Sequence, residues 1–193
     1  MTFLERPLAD QINHMKINKN LFLILFVVFF SCQDESINMN KLKTVPYVDL
    51  EKFMGDWYVI ANIPTFLEKN ATNAIESYKL NSKGEVETTF SFYKDNPNGE
   101  KKEYYPKGFI VDKNSNAEWK MQFFWPFKIT SLIIDLADDY SYTVIGVPNL
   151  KYVWIMSRKP ELSDDTYNNI LEKLQNFGFD LSKIKKIVQS WDH

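Results

Sequence analysis

Between residues 56 and 157 the chain repeatedly runs a short apolar-alternating course and then reverses. Eight such stretches follow one another: residues 56–63, 74–80, 85–93, 101–111, 117–125, 129–136, 140–147 and 151–157. Val86, Thr88, Phe90 and Phe92 share one side of their stretch, and Glu87, Thr89, Ser91 and Tyr93 the other. That period of two predicts half-buried strands. Turn chemistry separates them: Asn81-Ser82-Lys83-Gly84, Asp95-Asn96-Pro97-Asn98-Gly99, residues 112–116, Pro126, Ala137-Asp138-Asp139 and Pro148-Asn149-Leu150. Strands joined in sequence by short turns pair with their neighbours as an antiparallel meander. An open meander leaves two edges free to aggregate, and closure removes both. The fold class expected is all-β: an eight-stranded up-and-down antiparallel β-barrel. A β-sandwich is the rival, but it requires longer crossovers, and none is visible after Leu80.

The period then changes. Tyr167, Ile170, Leu171, Leu174 and Phe177 recur at helical spacing. Ser163 suits an N-cap, Asp164 and Asp165 suit the first turn, and Gly178 suits a stop. This C-terminal α-helix is expected to pack outside the barrel. Residues 184–189 suit a last short strand.

The N-terminal part reads differently. Residues 15–20 are basic, residues 21–30 are wholly apolar, and Ser31-Cys32 follows. About ten apolar residues are too few to span a bilayer, which takes about 20. The pattern is that of a secretory signal over residues 1–31, with Met15 a better start than Met1. Cys32 is the single cysteine, so the fold has no internal disulfide. Its place at the end of the apolar run resembles the lipobox of bacterial lipoproteins, which implies lipidation at Cys32. An ordinary signal with an incidental cysteine is the alternative. Residues 32–45 are assigned as lipidated cysteine and tether, and residues 46–193 as one domain.

The formal net charge of −2 gives no reason to expect a nucleic-acid partner. Aromatic residues make up 16% of the chain, enough for a thick core or an apolar cavity. The two histidines, His14 and His193, lie in the signal and at the last position. No Ser-His-Asp set, zinc site, P-loop or dinucleotide fingerprint can be assembled. No catalytic residue, metal or cofactor is expected, and adjacent acids such as Asp138-Asp139 read as solvated caps.

Gly55-Asp56-Trp57-Tyr58, at the start of the first strand, resembles the Gly-x-Trp signature of the lipocalins. Asp139-Tyr140 with residues 142–146, and residues 152–158 ending in Ser157-Arg158, resemble that family's second and third signatures. The last of these, and Phe123-Phe124-Trp125-Pro126-Phe127, are especially like the bacterial outer-membrane lipoprotein lipocalins and their apolipoprotein D-like relatives. The similarity spans about residues 46–191. It implies that Trp57 closes one end of the barrel under the guanidinium of Arg158, with Gly55 turning the chain in. It also implies a lid in the loop after the first strand, where Phe66 and Leu67 lie.

Extending the alternation gives an inward set of Val86, Thr88, Phe90, Phe92, Trp119, Met121, Phe123, Tyr142 and Val144, with Tyr140, Trp154 and Met156 as further candidates. The ligand-binding residues expected are Phe90, Phe92, Trp119, Met121, Phe123, Tyr140, Tyr142 and Trp154. Such a lining suits a hydrophobic small molecule, a fatty acid or lysophospholipid. The resemblance adds a role in envelope maintenance at the bacterial outer membrane, with the membrane reached through Cys32. Two alternatives stand: a lipid-acting isomerase or hydrolase on the same scaffold, and a structural lipoprotein with a filled barrel. Monomer and homodimer are both compatible with the residues.

Overall fold

In the computed structural model, residues 42–191 are described. The signal over residues 1–31, Cys32 and most of the tether lie outside them. The strands are β1 (Gly55–Ile63), β2 (Ala71–Leu80), β3 (Glu85–Lys94), β4 (Lys101–Tyr104), β5 (Lys107–Ile110), β6 (Glu118–Phe124), β7 (Phe127–Leu136), β8 (Tyr142–Gly146), β9 (Val153–Ser157) and β10 (Lys185–Lys186). Every pairing is antiparallel; β4 and β5 both pair β3, the other strands from β1 to β9 pair their sequence neighbours, and β1 also pairs β9, which closes the sheet, and β10. β4 and β5 form one course interrupted at Tyr105-Pro106. The barrel is therefore eight-stranded and closed, as the alternation predicts, and a sandwich is ruled out.

The break also settles the facing of the two adjacent tyrosines. Tyr104 pairs Phe90 on the inner face, and Tyr105 is exposed. A bulge between Val59 and Ala61 changes the phase of β1. Trp57 and Val59 face the lumen, Ile60 and Ala61 both turn outward, and Asn62 turns inward opposite Trp154. β1 leaves β2 after Tyr58, and the C-terminal segment fills the gap. Ile187 N–H donates to Ile60 O at 2.8 Å, and Gln189 Nε2 donates to Val59 O and Ala74 O at 2.8 and 3.1 Å. These bonds supply partners for backbone groups that the bulge would leave bare.

Two short α-helices flank the barrel: α1 (Leu50–Phe53) and α2 (Asp164–Phe177). α2 carries the caps expected of it: Ser163 Oγ accepts from Thr166 N at 3.2 Å, and Gly178 closes it at φ +92°. It buries Tyr167, Ile170 and Leu174 against the outer faces of β1, β8 and β9, where Ile60, Ala61, Val144, Val153 and Ile155 form a second core. Leu42 belongs to that core, and Val45 N donates to Ile133 O at 2.9 Å. The packed domain thus begins a few residues before position 46. None of the helices among the described residues is long and apolar enough to cross a membrane.

α1 crosses the lower end of the barrel and plants Phe53 in it. Phe53 packs on Trp57, Tyr78 and Trp119 with ring centroids 5.1, 5.6 and 5.5 Å apart. Trp57 Nε1 donates to Phe53 O at 2.9 Å, which satisfies the indole inside the core. Arg158 covers the other face of Trp57, 3.6 Å from the ring centre. Its Nη2 donates to Lys52 O, Phe53 O and Met54 O at 2.7, 3.0 and 2.9 Å, and its Nη1 to Asp56 O at 2.8 Å. The guanidinium fork is thus spent on the carbonyls left open at the end of α1. Gly55 sits at φ +94° beside Nη1, a conformation that a side chain strains.

Trp57→Ala removes the centre of this plug. The expected loss is about 3–5 kcal/mol of stability, read from urea unfolding of the variant against the parent. An unchanged midpoint and slope would refute the plug.

Candidate functional site

With one end plugged, the connections at the other end form the mouth: residues 64–70, residues 95–100, the Trp125-Pro126 turn and residues 147–152. The first of these folds back over the lumen as a lid. Phe66 is 83% exposed at its tip, whereas Glu68, two residues on, is 4% exposed. Glu68 anchors the lid from inside. Asn62 Nδ2 and Trp154 Nε1 donate to its Oε2 at 2.6 and 2.8 Å, and Thr65 Oγ1 donates to Oε1 at 2.7 Å.

Beneath the lid lies an enclosed chamber of about 30 Å³, lined chiefly by Glu68, Glu76, Tyr78, Phe90, Trp119 and Trp154. At about 10–15 Å³ for each, it holds two or three water-sized groups. Of the thick core or apolar cavity expected from the composition, the lumen is nearer the first. The aromatic side chains lean into the lumen and fill most of it, and two carboxylates share what remains. On the mouth side of the lid, a cleft of about 450 Å³ opens between Phe66, Leu67 and Lys69 and the wall formed by Phe92, Lys102 and Tyr104. Phe90, Phe92 and Tyr104 make a three-ring stack along this wall.

The candidates from the sequence fall into three places. Phe90, Trp119, Met121, Phe123 and Trp154 line the chamber, and Phe92 lines the cleft. Trp119 serves the plug as well, with Nε1 donating to Asn116 O at 2.7 Å. Tyr140 lies at the closed end, at φ +59°, and its hydroxyl accepts from Asp49 N at 2.8 Å. Tyr142 and Val144 point outward into the core beneath α2, while Thr143 and Ile145 face the lumen. The inward assignment of Tyr140, Tyr142 and Val144 is thereby corrected. Residues 142–147 are apolar on both faces because a helix covers the outside, so a period of two does not select their phase.

Glu68, Glu76, Asn62 and Ser131 were not singled out by the sequence. Glu76 shares parity with Tyr78 and pairs Trp57 and Phe90, which directs it inward; the phase of β2 is the signal that would have found it. Asn62 turns inward only because of the β1 bulge, and Glu68 sits in a loop that carries no periodicity. Among the described residues no group of three or more His, Cys, Asp and Glu side chains is placed to hold a metal.

Electrostatics mark the pair of acids. Burial pushes the Glu76 carboxyl up to about 7; the neighbouring Tyr78 hydroxyl offsets part of this, and the nearby Glu68 charge adds to it. Glu68 is also raised, by desolvation that outweighs its hydrogen bonds from Thr65, Trp154 and Asn62. Glu76 is partly buried and lines the chamber. Between the ordinary carboxylate value and about 7, the folded protein holds a proton that the unfolded chain has lost. Stability therefore falls as pH rises through that window. Glu76→Gln is expected to flatten the fall and to be more stable than the parent at about pH 8 by up to about 3 kcal/mol. Urea unfolding of both proteins at about pH 5 and pH 8 checks this; a parent equally stable at both values would sink it.

Comparison with known proteins agrees with this architecture. Residues 48–189 match the family model described as "Lipocalin-like domain". Temperature-induced lipocalin-1 of Arabidopsis thaliana is 28% identical over 159 residues, which cover 78% of this chain and 84% of that protein. The outer membrane lipoprotein Blc of Escherichia coli K12 is 29% identical over 142 residues, covering 73% and 79%. The solved structure of insecticyanin from Manduca sexta superposes with a TM-score of 0.61 at 21% identity, over 79% of this chain and 85% of that one. On the family match over most of its length, and on a closed eight-stranded barrel with a helix outside, the chain belongs to the lipocalin-like family.

Proposed function

We propose that the protein is a membrane-anchored carrier that holds a fatty acid, a lysophospholipid or a similar hydrophobic molecule at the open end of its barrel. The observation that carries this reading is the asymmetry of the two ends. One is sealed by Phe53, Trp57 and Arg158; the other opens into a cleft on the mouth side of the lid, walled on one side by Phe92 and Tyr104. The cleft sets Phe66, Leu67, Phe92 and Tyr104 beside Lys69, Lys94 and Lys102, so apolar contact and polar groups meet in one small-molecule site. The cleft is large enough for the first part of an acyl chain, and deeper entry requires the lid and the inner aromatic side chains to move.

The rim supports delivery to or from a membrane. Trp125 is 86% exposed and Phe127 75% exposed at the same end as Phe66. Aromatic side chains in such positions suit the interface between lipid headgroups and acyl chains. An anchor at Cys32, after removal of residues 1–31, would keep that end close to the bilayer. Resemblance to the outer membrane lipoprotein Blc supports placing the protein in a bacterial outer membrane, where it would serve envelope upkeep.

Two measurements test this. Delipidated protein is expected to take up a fluorescent fatty acid or lysolipid saturably, and Leu67→Asp in the lid to weaken uptake about tenfold. Uptake that never saturates favours a filled structural barrel. Cys32→Ser is expected to move the full-length protein from the detergent phase to the aqueous phase on phase separation. Equal partition of variant and parent would exclude lipidation at Cys32.

A further inference from the structure

Two carboxylates share the chamber. Glu76 enters it from β2 and Glu68 from the lid. Asn62 is 1% exposed, spends its Nδ2 on Glu68, and leaves Oδ1 with no donor at all. Thr88, 3% exposed and paired with Tyr78 on the inner face, has no partner for Oγ1 either. Buried polar atoms without partners are rare in folded proteins, and Asn62 Oδ1, next to the carboxylate that anchors the lid, lacks a donor. The surrounding walls are aromatic: Trp119, Trp154, Tyr78 and Phe90. Aromatic faces attract cations as well as apolar groups.

The charges around the pair point the same way. Glu76 faces Trp57 on β1, Phe90 on β3, Tyr78 on its own strand and Glu68 on the lid. Arg158 lies below the plug, with its donors taken by carbonyls. Lys102 is the lysine that its strand register turns inward, but it stands at the mouth, paired with Glu100 at 2.5 Å. No cation therefore reaches the chamber from the described residues. A carboxylate ligand brought that deep would meet two acids and no counter-charge.

We propose that the chamber takes the ammonium end of an amine-bearing amphiphile, with Glu76 and Glu68 accepting its N–H groups and its alkyl part running toward the mouth. The deduction rests on the carrier reading above and narrows its ligand class. An ammonium group is about the size of a water molecule, which suits a space of about 30 Å³. Seating it requires the lid to lift and settle again, because Glu68 both roofs the chamber and ties down residues 64–70. Because Glu76 holds a proton below about 7, the ammonium is held more tightly as pH rises through that value.

The test compares dodecylamine, dodecanoate and dodecan-1-ol, which share one chain length and differ in head charge, each below its micelle concentration. Tryptophan emission reads binding, since Trp119 and Trp154 line the chamber. At about pH 8 the amine is expected to bind at least about tenfold more tightly than the alcohol, and the carboxylate less tightly than the alcohol. The amine stays protonated through this range, as a lysine does, so an affinity that weakens at about pH 6 in the parent and less in Glu76→Gln reports Glu76. In Glu76→Gln the ratio of amine to alcohol affinity is expected to fall about tenfold, and Glu68→Gln provides a second, independent loss. Dodecanoate binding as tightly as the amine, or a ratio unmoved in both variants, overturns the ammonium site. Equal binding of all three overturns that site and leaves the carrier; binding of none overturns both.

Discussion

The barrel depends on how one end is sealed. Arg158 stacks on Trp57 while its fork collects the carbonyls of Lys52, Phe53 and Met54. That single side chain ties the last strand to the first and holds α1 across the opening. Phe53, carried by α1, then reaches Trp57, Tyr78 and Trp119 from below. A planar, weakly hydrated cation is suited to this double task, because its face stacks while its edge donates. Lysine could supply the charge but not the geometry. With this end closed, any exchange with solvent or membrane falls to the other end.

The same logic explains the lid. A loop over an apolar mouth has backbone polar groups to satisfy and few partners. Here a buried carboxylate gathers three donors from Asn62, Thr65 and Trp154 and fixes the loop at one point. The cost is a desolvated acid, and a second acid at Glu76 increases it. Structures tolerate such groups where they serve a site more often than where they only pack. The aromatic lining gives apolar contact on all sides, and the acids give it direction.

Outside the lumen, α2 makes the sheet two-sided. Where the helix lies, strands β8 and β9 are apolar on both faces, with Val144, Val153 and Ile155 under the helix and Ile145 and Met156 within the barrel. Where no helix lies, as on β3, the outer face is polar and the alternation is plain. The division of the chain between these regimes decides which residues could be placed by pattern and which could not.

Local pattern alone determined much of this protein. The eight strands, their order, the need to close them and the caps of α2 could all be read from period and turn residues, and the pairing of Trp57 with Arg158 was implied by the resemblance to the lipocalins. The phase of β3 and β6 was legible because one face is polar or partly so. The tertiary structure alone decided three things. The outer core under α2 hid the phase of β8, so Tyr142 and Val144 proved to face away from the lumen. The bulge at Ile60 turned Asn62 inward, and bulges leave little trace in hydrophobic pattern. Glu68 and Glu76 met in one chamber because the loop that leads into β2 folds back over the lumen that β2 helps to wall. Periodicity records which side of its own strand a residue occupies, whereas a site is made where separate elements converge, and that convergence exists only once the sheet has closed.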